Sequence, residues 1–79
     1  MTWRTYTVDG RSLVVDHVRD GKWRVRCDDG PEEQSHDLAA AILAASGMGR
    51  LEPLSPGVMD TWVAWARDHA RRIAAEARG

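Results

Sequence analysis

Residues 55–79 read SPGVMDTWVAWARDHARRIAAEARG, and the rest of the chain has to pack against what they form. Ser55 offers a hydroxyl to free amides, and Pro56 follows where a missing N–H costs least. Met59, Trp62, Val63, Ala66, Ala70, Ile73, Ala74 and Ala77 recur at spacings of three and four, which predicts an amphipathic helix over 55–78. At 1.5 Å per residue it makes about six turns. Its apolar face carries one large anchor, Trp62, and then mainly alanine, so a covering element can come close to the helix axis.

Working outward, residues 48–54 form a connector in which Gly49 and Pro53, with Pro56 beyond, forbid one continuous helix. Before it, Ser35 is the expected cap of a shorter helix over 35–47, with Asp37 in the first turn and Gly47 at the end. Leu38, Ala41, Ile42 and Ala45 supply its apolar face. Residues 28–34 are polar and acidic, broken by Gly30-Pro31, and are expected to end the sheet.

The first 27 residues predict three strands, Thr2 to Val8, Arg11 to Val18 and Lys22 to Cys27, turned at Asp9-Gly10 and Asp20-Gly21. In the third, Trp23, Val25 and Cys27 alternate with Lys22, Arg24 and Arg26, giving one buried face and one basic face. A strict two-residue turn at Asp20-Gly21 would bury Asp16 unpaired. A three-residue turn with a bulge, Arg19-Asp20-Gly21, sets Leu13, Val15 and His17 on the face of Trp23 instead and is preferred. In the first strand Trp3 and Tyr6 lie on opposite faces, and only one can join the core. The expected architecture is an α+β, two-layer single domain over 1–79: a three-stranded antiparallel meander followed by two helices on one face, βββαα.

A chain of 79 residues buries only about 60 to 65% of its unfolded surface, so its own core leaves a thin margin of stability. Cys27 is alone and makes no internal disulfide. Self-association is the remaining remedy, and a homodimer is expected. Net charge is −1, too little for a global field that attracts nucleic acid or anionic membranes. The charge is uneven: residues 28–37 hold five acids and no base, while residues 1–27 hold six bases and three acids. Ten of the eleven basic residues are arginine and alanine is abundant, the coding habit of a GC-rich bacterial genome. The absence of a long apolar run or a leader-like start predicts a cytoplasmic protein with no membrane partner and a reduced Cys27.

Three surfaces stand out. Trp62 and Trp65 together widen the apolar side of the last helix beyond what one contact needs, and with Ala66, His69, Ala70 and Ile73 they make an expected partner-binding side. Cover by the first helix explains the same width. Arg67, Arg71 and Arg78, with Arg72 displaced toward Trp65, form one basic strip, and Lys22, Arg24 and Arg26 another. If both faced one way, Arg24, Arg26, Arg67, Arg71 and Arg72 would bind nucleic acid. Solvated charges at a helix C-terminus and along a sheet explain them as well. The loop acids Asp28, Asp29, Glu32 and Glu33 have the oxygens of a cation site without its spacing. His17, His36, His69 and Cys27 show no paired metal-ligand spacing, and no nucleophile motif or phosphate loop is present. No metal, no cofactor and no catalysis are expected.

The strand order, with the acidic turn leading into His36-Asp37-Leu38-Ala39-Ala40-Ala41-Ile42, resembles small antitoxins of the HicB type. Those have a three-stranded sheet backed by a helix and bind a toxin partner. The likeness is topological, covers about half of the chain, lacks that family's Pro-rich turn and transfers no functional residue. The order of sheet then helices is also similar to winged-helix peptide-recognition domains that serve peptide-modifying enzymes. The leading expectation is a non-catalytic protein-interaction module, homodimeric through the last helix. The alternatives are a nucleic-acid-binding regulator or antitoxin, and a small ligand binder or enzyme accessory protein.

Overall fold

The computed structural model describes residues 2–28, 30–47 and 56–78. It is α+β, with an antiparallel sheet of four strands, β1 (Thr2–Tyr6), β2 (Ser12–His17), β3 (Trp23–Cys27) and β4 (Glu33–Ser35), in the order β1-β2-β3-β4. Two helices follow, α1 (Leu38–Ala45) and α2 (Pro56–Arg78).

The fourth strand corrects the expected three. Glu33, Gln34 and Ser35 pair with Val25, Arg24 and Trp23, so the segment read as the loop that ends the sheet extends it. No residue of β4 is β-branched or aromatic. Pairing with β3 makes it a strand, and a short polar edge is how sheets avoid pairing with other chains.

The first two hairpins use three-residue turns. Thr7 and Arg11 close the first, the Thr7 N–H donating to Arg11 O at 2.8 Å, with Gly10 at φ 86°. β1 accordingly ends at Tyr6 rather than Val8, and the turn is Val8-Asp9-Gly10. In the second, Arg19-Asp20-Gly21 form a short 3₁₀ turn in which Asp20 (φ 66°) and Gly21 (φ 74°) both adopt positive φ. Val15 then pairs with Val25 and His17 with Trp23. Leu13 and Val15 are fully buried, and Asp16 lies on the opposite face beside Arg24. Trp3 pairs with Val15 and joins the core, its ring 5.9 Å from Trp23, whereas Tyr6 is 67% exposed.

α1 starts later than Ser35. Asp37 is its N-cap, a carboxylate oxygen accepting from the Ala40 N–H at 3.3 Å. The Ser35 hydroxyl sits two residues upstream and accepts from the Asp37 N–H. The helix ends at Ala45, and Gly47 at φ 80° takes the left-handed position past the C-terminus. The expected cap Ser55 and the connector 48–54 lie outside the described residues.

One cluster joins Leu13, Val15, Trp23, Val25 and Cys27 of the sheet to Leu38, Ala41, Ile42 and Ala45 of α1 and to Ala66 and Ile73 of α2. Met59, placed on the apolar stripe by spacing, is 45% exposed.

Candidate functional site

α2 buries Ala66 and Ile73 in the core, with Trp65, Ala70, Ala74 and Ala77 partly buried against it on either side, so each flank faces something different. On one flank the Trp3 indole N–H donates to Glu76 Oε2 at 2.7 Å, and His69 and Arg72 lie beside Trp3 and Arg4 of β1. Arg72 is also bound to Asp68, 2.8 Å away and one turn earlier.

The other flank borders an open groove of about 710 Å³. Three parts of the chain meet there: the β2–β3 turn with His17 and Trp23, the start of α1 from His36 to Ala39, and α2 from Arg67 to Arg78. Ala70, Ala74 and Ala77 are half-buried and give the α2 wall a floor of methyl groups, with Leu38 beneath. Arg67, Arg71 and Arg78 stand exposed along its edge. They fall at i, i+4 and i+11, close to whole helical turns, so the three guanidinium groups line one side over roughly 16 Å of axis. Among the described residues none of the three forms an ion pair. The lining holds one carboxylate, Asp37, which already caps α1. Asp60 and Asp68, which share this side of a helical wheel, do not line the groove.

The expected site residues divide accordingly. Trp62, Ala66 and Ile73 are buried within the chain. Trp62 packs edge-on against Trp65, ring centres 5.6 Å apart, and Trp65 is half-buried with its own carbonyl 3.1 Å from His69 Nδ1. Ala70, Arg67 and Arg71 meet in the groove. Arg24 and Arg26 do not join them: they alternate away from Trp23 and lie on the sheet's other face with Val14, Asp16 and Glu32. There Arg24 sits 3.4 Å from Glu32 and 3.9 Å from Asp16. The two basic strips therefore line different surfaces.

His17 stacks on Trp23 at 4.3 Å and 20° between planes, and with His36 it enters the groove wall. Spacing gave no hint of this, because His17 ends β2 and His36 precedes the cap of α1, and only the fold brings the two segments to one groove. Cys27 is buried; burial raises its thiol pKa, and nearby Arg11 offsets part of the rise. Asp28 and Glu32 are each otherwise engaged, Asp28 accepting from the Ser12 N–H and Glu32 facing Arg24. Among the described residues no three His, Cys, Asp or Glu side chains form a metal-binding set, and no helix is long and apolar enough to cross a membrane.

Compared with known proteins, the chain matches no protein-family model, no curated protein and no solved structure.

Proposed function

We propose that this chain is a small, non-catalytic protein-interaction module that receives a partner along α2. One observation carries the reading: a row of three arginines without carboxylate partners among the described residues edges a furrow floored by alanine. A solvated helix face needs no concavity beside it, and a structural arginine ordinarily has a partner. A concave, largely apolar surface rimmed by unpaired charge is the form of a docking site. In this reading the sheet and the helices make two layers, and the groove opens where the α2 flank overhangs the start of α1.

The test is selection of displayed peptides against the wild-type chain, with counter-selection against Ala74→Trp, whose indole obstructs the alanine floor. The expected result is a set of peptides that bind the first chain and not the second. A selection that yields no peptide able to tell the two apart sinks the reading.

A second reading, self-association, has its own support. Val58 is 42% exposed on the same side of α2 as half-buried Trp65, two turns away. A twofold contact through that flank would cover both. Light scattering checks it: a dimer that dissociates on Trp65→Ala supports the contact, and a monomer at every concentration removes it. Nucleic-acid binding has less support, because Arg24 and Arg26 lie on a different surface from Arg67 and Arg71.

A further inference from the structure

We infer that the groove takes an acidic amphipathic helix of a partner protein, packed lengthwise on α2, with glutamate or aspartate meeting Arg67, Arg71 and Arg78 and small apolar side chains over Ala70, Ala74 and Ala77. The inference rests on the docking role proposed above and adds the chemistry of the partner.

Charge selects an acidic partner. The lining carries three arginines and one carboxylate, and that carboxylate holds the Ala40 N–H. Apposing an acidic surface satisfies all three guanidinium groups, which are suited to carboxylate recognition by paired N–H donors. The floor selects a helix. Methyl groups at 70, 74 and 77 let a second helix approach to about 8 Å between axes, the close end of helix packing. The arginine row spans roughly three turns, so a partner helix of about three to four turns reaches all of it.

Other occupants fit less well. A second copy placed symmetrically on this groove would bring six arginines together, a costly repulsion. Of its own acids, Asp28 is held by the Ser12 amide and Glu32 faces Arg24. Single-stranded nucleic acid needs open ring faces for its bases. The one indole in the groove, Trp23, is 8% exposed and already stacked by His17, which leaves the imidazoles of His17 and His36 as the exposed rings there.

The experiment uses the full chain and a fluorescein-labelled synthetic helix of about 20 residues, with leucine and alanine on one face and glutamate flanking it. The comparison probes are the same peptide with lysine for glutamate, the same peptide with glutamine, and an oligothymidylate. Fluorescence anisotropy at low salt is expected to show micromolar binding of the glutamate peptide, at least tenfold tighter than the lysine peptide, weakening as salt is raised. Arg71→Glu with Arg78→Glu should reverse the order of those two peptides. Ala74→Trp, with circular dichroism to confirm the fold, should weaken both at least tenfold. The inference is overturned if the double charge reversal leaves the glutamate peptide unaffected. If the glutamine peptide binds as well as the glutamate peptide and is lost on Ala74→Trp, the acidic chemistry falls and the docking role stands. If only the oligothymidylate binds, or no probe does, the inference falls, and the peptide selection independently decides the docking role.

Discussion

At the scale of single residues, Arg11 joins two parts of the chain that are far apart in sequence. Its Nη2 donates to the Ser46 carbonyl at 2.7 Å, at the C-terminal end of α1, and its Nε reaches Asp9 at 2.9 Å. A cation there meets carbonyls that the helix leaves unbonded. Arg11→Ala removes a charge-assisted hydrogen bond and should cost about 1 to 2 kcal/mol. In a domain this small that lowers Tm by roughly 5 to 15 °C, and a thermal melt with no change would refute the clamp. Asp9 is held below the ordinary carboxylate range, chiefly by the Thr7 hydroxyl and then by Arg11, with burial opposing. A depressed carboxyl stabilises the fold above its unfolded pKa, and the contribution is lost as pH falls through the folded value. The gap between wild type and Asp9→Asn should therefore be full at neutral pH and close in strong acid. Cys27 titrates in the opposite direction. Burial keeps its thiol protonated, so a thiol reagent at pH 7.5 should label it slowly in the folded chain and at once in denaturant. Fast labelling under native conditions would show that the β3 end opens.

Elements differ in how much of them one sequence reveals. β3 was legible because Trp23, Val25 and Cys27 alternate with arginine, and α2 because its apolar spacing repeats over many turns. The face of β2 could be chosen because the other face would have buried Asp16 without a partner. β4 carries no such signal: Glu33-Gln34-Ser35 is extended through its ladder with β3, a non-local cause. The start of α1 was misplaced for a related reason. Ser35 and Asp37 are both capping types, and only the pairing of Ser35 with Trp23 leaves the role to Asp37. At eight residues α1 is short enough for its cap to matter. Asp37→Ala should cost about 1 kcal/mol, and Asp37→Ser should recover most of it. Chemical denaturation decides the matter: equal midpoints for the two variants would mean that the side chain is not capping.

For the molecule as a whole, the distribution of charge matters more than its sum. Net charge is −1, yet the acids Asp16 and Glu32 are gathered around Arg24 on the outer face of the sheet, while Arg67, Arg71 and Arg78 stand together at the groove. The groove could not be read from the sequence because its walls come from residues near 20, near 37 and near 74, and its cationic edge coincides with what a solvated helix end looks like. Stability separates the two origins of that edge. On α2, Arg67 and Arg71 are a like-charge pair at i, i+4, a spacing that destabilises a helix by about 0.2 to 0.5 kcal/mol. Alanine is also the better helix former. Arg71→Ala should therefore leave the isolated chain unchanged or slightly more stable, with Tm shifted by about 0 to +4 °C, while weakening the glutamate peptide several-fold. A side chain kept for the fold loses stability when removed, whereas one kept for a partner loses affinity alone. A drop in Tm with undiminished peptide binding would make Arg71 a structural residue and remove the arginine row from the docking surface.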